Sequence, residues 1–267
     1  MLAIAMSITA SGVALAHLEI GSSIGITHLQ WVMNGFILSF AACLLPFGSI
    51  VDRIGARRVF LWGCALFVLA SVVTICASSF FVLMSGRLLQ GIGAAQLAAA
   101  GPAALAALLD NDARRKHAFG YLGASGGIGL TLGAFLSGVV LSWGGWRAAF
   151  ALHVPFVIVA AVFAVSGMRD RSQTPRHSFD LLGTALSIVC ITAAMTFAIS
   201  GSLVGWLSPW VLCASFIAGL TGWAFVAVEA RIPAPLIRLS MLRNRQFALA
   251  CTVCVLFTTV WVALFIY

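Results

Sequence analysis

Charge is scarce in this sequence. Asp, Glu, Lys and Arg make up 8% of the 267 residues, where a soluble globular domain carries about 25%. Apolar residues make up 62%, and the mean hydropathy is +1.09. Too few charges remain to coat a water-facing surface, which excludes a soluble domain and points to a polytopic membrane protein. The constellations of catalysis are missing as well. No nucleophile–base pair, metal-ligand cluster or phosphate loop can be found, so an enzyme is not expected. Met1 opens directly onto apolar sequence with no basic stretch, so a cleavable signal peptide is not expected and the first helix is expected to have lost its N-terminal flank. The seven cysteines (Cys43, Cys64, Cys76, Cys190, Cys213, Cys251, Cys254) all fall in apolar runs and are expected to pack as small apolar residues. Cys251-x-x-Cys254 has no second pair and no nearby His, so a metal or redox role is not expected.

The charge that is present is mostly basic, with a formal net of +8. It forms no stripe along one face, which excludes nucleic acid as a partner. It lies between apolar runs. Nine runs, each near the ~20 residues a spanning helix needs, fall at about 1–18, 29–50, 58–77, 81–108, 118–141, 147–167, 181–203, 209–228 and 247–267. Alternate connections carry the basic residues: Arg53, Arg57 and Arg58; Arg114, Arg115 and Lys116; Arg169, Arg171 and Arg176; Arg231, Arg238, Arg243 and Arg245. The others hold almost none, Arg147 being the exception. The positive-inside rule makes those four loops and the N-terminus cytoplasmic, and puts Trp143, Trp146, Trp206 and Trp210 at the outer interface.

Residues 48–58 read G-S-I-V-D-R-I-G-A-R-R and hold a large share of the charge. Gly48 and Gly55 leave no side chain in the way, so two helix ends are expected to approach there. Asp52, Arg53, Arg57 and Arg58 set both signs of charge at the membrane surface. By themselves these charges do no more than fix topology. Their spacing, G-x-x-x-D-R-x-G-x-R-R, resembles at every expected position the helix 2–3 loop motif of the major facilitator superfamily. The resemblance implies that Asp52, Arg53 and Arg57 latch a cytoplasmic gate.

Arg87 stands about two turns into the fourth run, in R-L-L-Q-G-I-G. Gln90 at i+3 and Gly91 at i+4 share its face. An Arg inside a span is a functional hypothesis, against the alternative of a side chain that snorkels to the headgroups. R-x-x-Q-G-x-G also resembles the family's helix 4 motif, which implies a role for Arg87 in proton coupling or in lining the central cavity. The fifth run is glycine-rich. Gly123/Gly127 and Gly129/Gly133 are GxxxG pairs, with Gly138 beyond, and suit close helix packing. They also resemble the family's helix 5 antiporter motif, although Ala134 stands where Pro is expected and Ser137-Gly138 replaces Gly-Gly.

Three further stretches resemble the family's fourteen-helix drug/proton antiporter branch: residues 30–38 (Q-W-V-M-N-G-F-I-L), 146–155 (W-R-A-A-F-A-L-H-V-P) and 235–247 (P-L-I-R-L-S-M-L-R-N-R-Q-F). His153 replaces that branch's Asn, and is read as hydrogen-bonded packing ahead of a proton site. In the first run Ser7 falls where the branch carries Asp, Gly12 where it carries Asn and Ala16 where it carries Pro, while Thr9 matches. Ser7 does not titrate near neutral pH, so proton coupling needs other groups or is absent.

The resemblance implies an all-α major facilitator fold. Residues 1–168 form a six-helix bundle, 169–180 a cytoplasmic loop, 181–228 two inserted helices, 229–246 a second loop and 247–267 the first helix of an incomplete second bundle. It implies proton-coupled export of small organic molecules by alternating access, driven by a proton gradient without a bound cofactor, in the cytoplasmic membrane. The alternatives are an uncoupled facilitator or a truncated, non-transporting membrane protein. With the second bundle missing, Arg87 and Gln90 are expected to face hydrocarbon, and the chain alone is expected to be inert.

Overall fold

The computed structural model describes residues 1–21, 26–109, 111–168, 180–232, 236 and 244–266. Among them there are nine helices and no strand: α1 (Leu2–Gly21), α2 (Ile26–Ile54), α3 (Ala56–Ile75), α4 (Phe80–Leu108), α5 (Asp112–Ala151), α6 (Val154–Gly167), α7 (Leu181–Val204), α8 (Pro209–Glu229) and α9 (Arg245–Ile266). Six described stretches are long and apolar enough to cross a membrane: His28–Ile54, Ala56–Ile75, Phe80–Leu108, Asp112–Gly167, Leu181–Val204 and Pro209–Glu229. Leu2–Ala14 and Arg245–Leu256 are shorter apolar helices. Arg169, Arg171, Arg176, Arg238 and Arg243, on which two of the basic loops depend, lie outside the described residues.

Residues 48–58 are not a loop. Helix α2 runs on to Ile54 and α3 begins at Ala56, so the whole connection is Gly55. Its φ of 94° and ψ of 146° lie where a side chain is strained, which is why this position takes glycine. Gly48 does not serve a close approach: a Cβ there would meet nothing within 4 Å.

The fifth and sixth runs divide differently from the sequence expectation. Asn111 accepts from the amides of Ala113 (2.9 Å) and Arg114 (3.3 Å) and starts α5 there, so Arg114, Arg115 and Lys116 ride on its first turns. At the far end Gly145 (φ 65°, ψ −171°) kinks the chain. Residues 146–151, expected to open the sixth helix, form a short helical piece after that kink. Only then, past Leu152 and His153, does Pro155 help set the first turn of α6.

Helix α4 is the centre of the bundle, packed between α2 and α3. Its small residues allow this. A Cβ on Gly91 would strike Ser39 and the Phe36 carbonyl of α2, and one on Gly93 would sit 2.9 Å from the Phe67 amide nitrogen of α3. Helix α1 packs along α5, α6 lies on α3, and the α7–α8 hairpin joins the bundle mainly through α7 on α2. Phe36, Phe67, Cys64, Ala94, Leu97, Val157 and Ile4 form the apolar core between them.

The surface is the reverse of a soluble protein's. Leu69, Phe163, Phe216 and Trp223 are each at least 65% exposed, while the largest fully buried side chain is Arg87. That distribution suits a solvent of hydrocarbon. It also corrects the expectation for cysteine: Cys64 is buried, but Cys76, Cys213, Cys251 and Cys254 are on the outside, where a thiol costs little against lipid.

Candidate functional site

Arg87 does not face hydrocarbon. It is 1% exposed, and its partners come from α1, α2, α5 and its own helix. From α4 it donates through Nη1 to Gln90 Oε1 (2.8 Å) and to Ser7 Oγ of α1 (3.2 Å), and through Nε to the Val32 carbonyl of α2 (3.4 Å). Its guanidinium carbon lies 4.4 Å from the ring centre of Phe36 on α2 and 5.6 Å from that of Phe150 on α5. Stacked rings supply attraction that does not depend on a counter-ion. The expectation of exposure fails because these partners come from within the bundle.

The network continues. Gln90 Nε2 donates to Ser71 Oγ of α3 (2.8 Å) and approaches His153 Nε2 (3.4 Å). Ser71 Oγ is 3.1 Å from the same His153 nitrogen and also donates to the Phe67 carbonyl at 2.7 Å. Phe67 stands edge-on to the imidazole, 5.1 Å between ring centres. Arg87, Gln90, Ser71, Ser7 and His153 are all under 2% exposed. A single polar cluster therefore sits inside an apolar bundle, where an Arg carries a penalty of roughly 2.5–3.5 kcal/mol on insertion scales. Among the carboxylates whose side chains are described, Asp52, Asp112, Asp180 and Glu229 all stand at helix ends and none bonds to it. Ser7 offers it a neutral hydroxyl instead.

The remaining candidates divide. Gly91 serves the α2–α4 contact directly beneath this cluster. Gly129 packs against Leu2 and Ala5 of α1, and Gly133 against Met6 and Thr9. Gly123, Gly127 and Gly138 have open space where a Cβ would go and serve no packing here. Sequence reasoning missed Gly63, Gly86 and Gly93, which bring α3 and α4 together; the seven-residue interval from Gly86 to Gly93 was the available signal.

At the end carrying residues 48–58, Arg57 Nη2 donates to the Val165 carbonyl at 2.9 Å, tying the start of α3 to the end of α6. Asp52 is exposed and borders a small cavity with Val51, Gly55, Ala56, Arg57, Ala103, Ala104, Ala107, Leu108 and Met168. Arg53 is half-buried and Arg58 exposed. At the opposite end Arg147 has a structural task. Its Nε and Nη2 donate to the carbonyls of Ile75 (3.1 Å) and Ala77 (3.0 Å), which α3 leaves unpaired at its C-terminus. Among the described residues no three His, Cys, Asp or Glu side chains converge as metal ligands.

The family model described as Major Facilitator Superfamily matches residues 1–267. The chain belongs to the major facilitator superfamily. It is thus a multi-pass membrane protein of a transporter family and not an enzyme. It is 31% identical over 247 residues to the methylenomycin A resistance protein of Bacillus subtilis (strain 168), covering 92% of this chain and 52% of that protein. It is 30% identical over 250 residues to the multidrug resistance protein Stp of Mycobacterium tuberculosis, covering 93% of this chain and 47% of that one. The chain therefore spans about half the length of the curated relatives it matches. Among solved structures, the POT family transporter PepTSo superposes with a TM-score of 0.54 at 16% identity, over 85% of this chain and 52% of that one. That likeness shows the facilitator fold, of which the described helices form the N-terminal part.

Proposed function

We propose that the chain is the N-terminal portion of a proton-coupled exporter of small organic molecules, in the fourteen-helix drug/proton antiporter branch. A second helix bundle completes the transport path, and the substrate site alternates between the two faces. The observation that carries the reading is the enclosed cluster of Arg87, Gln90, Ser7, Ser71 and His153. A fold held by small-residue packing has no need of a buried Arg, and such residues mark pathways and relays. The printed names of the relatives, as resistance proteins for an antibiotic and for multiple drugs, support the substrate class. Asp52, Arg53 and Arg57 form the gate region, and the basic ends of the helices, with the N-terminus, lie in the cytoplasm. A specific observation favours a second reading: the group at 3.2 Å from Arg87 is the non-titrating Ser7, which suits an uncoupled facilitator.

The test is drug sensitivity and accumulation in cells expressing the chain together with a second helix bundle, with and without a proton uncoupler. Lower accumulation that the uncoupler abolishes is the expected result. Faster equilibration of the drug across the membrane, without net depletion and insensitive to the uncoupler, selects the facilitator. Unchanged accumulation and equilibration across hydrophobic and cationic drugs sink both.

A further inference from the structure

The donor-only character of Arg87 fixes the direction of every hydrogen bond beyond it. A guanidinium cannot accept, so Gln90 must turn its oxygen toward Arg87 and its amide NH2 toward Ser71 and His153. The one proton of the Ser71 hydroxyl is directed at the Phe67 carbonyl, 2.7 Å away. The Ser71 oxygen is then an acceptor, both for Gln90 and for the imidazole nitrogen at 3.1 Å. His153 Nε2 must therefore carry its hydrogen, and the 3.4 Å approach of the Gln90 amide to that nitrogen is a contact without a bond. A neutral imidazole has one N–H, so Nδ1 is a bare lone pair. It is buried and has no partner among the described residues. The opposite tautomer buries an N–H donor with no acceptor, the costlier arrangement.

We propose that His153 Nδ1 is a proton-binding site, and that its occupation breaks the Arg87–Gln90–Ser71–His153 network. The lone pair takes a proton from water and no other bond changes. The product is an imidazolium whose two N–H groups both need acceptors, one amide away from the Arg87 guanidinium. Among the described side chains, the charged and titratable groups on the packed elements offer no relief. Helix α4 brings Arg87, α1 brings the Ser7 hydroxyl, and α2 brings Val32 and Phe36, its His28 lying against Phe80 instead. Helix α3 brings Ser71, with Cys64 in the apolar core beside Val157. Helix α5 brings Phe150, while its Arg147 is turned onto the carbonyls of Ile75 and Ala77. Two like charges with no carboxylate between them repel strongly in a low-dielectric interior. Water must enter or the helices must part. His153 sits in the turn between the Gly145 kink and α6, where the backbone can absorb such a change. The proposal deepens the proton-coupled reading and rests on it for its purpose, while its first test needs no transport.

The test is nitrogen NMR of the 267-residue chain, labelled at His and Gln and held in lipid nanodiscs, titrated from about pH 8 to about pH 3, since burial and the Arg87 charge both oppose the second proton. At the alkaline end His153 is expected to show Nε2 protonated and Nδ1 bare. On acidification it should gain the second proton, with the Gln90 amide signal shifting in the same step. His153→Asn should abolish that step. Ser71→Ala, which keeps the imidazole but removes the acceptor of its N–H, should mix the two tautomers. If His153→Asn does not fold, His153→Gln takes its place. A bare Nε2 at the alkaline end, a His153 that stays neutral throughout, or protonation with Gln90 unmoved overturns the proposal. In vesicles holding the chain together with a second helix bundle, under an imposed pH gradient, undiminished export by the Asn variant also overturns it and leaves the exporter reading standing. Proton binding at His153 without gradient-driven export by that two-bundle assembly upholds the site and removes the exporter reading instead.

Discussion

An alanine at Gly133 and an alanine at Gly123 should act in opposite directions, although both glycines belong to GxxxG pairs on one helix. At Gly133 the new methyl falls 2.7 Å from the Met6 Cα, and closer still to Thr9 Oγ1. Carbon atoms rest about 3.5–4.0 Å apart, so α1 and α5 must separate by about 1 Å or bend. The seam is continuous, because Gly129 presses on Leu2 and Ala5 one turn away. Separation there loosens both contacts together, and overpacking of this kind costs about 1–3 kcal/mol. At Gly123 nothing lies within 4 Å of the added methyl. The only effect left is the lower backbone freedom of alanine, a gain of up to about 1 kcal/mol. The two variants should differ by about 2 kcal/mol, about 30-fold in the unfolding equilibrium. Reversible unfolding in mixed detergent, followed by far-ultraviolet circular dichroism, measures the difference. Equal stabilities, or a Gly123 variant weaker than the Gly133 variant, would refute the assignment of Gly129 and Gly133 to the α1 contact.

Further outcomes follow from the same contacts. Gly55→Ala forces a side chain into φ 94° at the α2–α3 junction and should cost about 1–2 kcal/mol, read in the same unfolding assay against Gly48→Ala, which lies inside α2 with open space and should gain up to about 1 kcal/mol. Arg87→Ala leaves Gln90 and Ser7 buried without their donor, at about 1–3 kcal/mol for each group, and should abolish export; Arg87→Lys should recover only part, since it lacks the second nitrogen that donates to the Val32 carbonyl and the plane that stacks on Phe36. Export by the Ala variant at the wild-type rate would reduce Arg87 to a packing residue. Arg57→Ala should lower stability by about 1 kcal/mol through the lost Val165 contact, and a variant as stable as the parent would show that bond to be idle. Single cysteines at Lys116 and at Ser208, in a cysteine-free chain, should label from outside intact cells only at position 208; labelling at 116 alone inverts the topology.

The sequence by itself determined the class, the family and the positions where spanning helices form. Hydropathy and the scarcity of charge are sums over residues, and the motif at residues 48–58 is a spacing along the chain. None of these needs the partners to be known. Arg87 and Gln90 were legible for the same reason, as polar residues at helical spacing in an apolar run. Tertiary structure alone decided what surrounds them. Ser7, Ser71 and His153 lie 80, 19 and 63 residues from the Arg87 and Gln90 groups they meet, and no local pattern encodes such contacts. The same holds for the glycines. Gly123 and Gly133 look alike in the sequence, and only the path of α1 makes one a contact and the other a bare surface. The helix ends moved for a local reason that periodicity does not register: a single residue, Gly55 or Gly145, can stop one helix and start the next because it tolerates positive φ. Burial was decided last of all. An Arg in an apolar helix can face lipid, a cavity or its own bundle at the same hydropathy, and the choice rests on whether neighbouring helices supply acceptors and ring faces. Here they do, from Val32, Ser7, Gln90, Phe36 and Phe150.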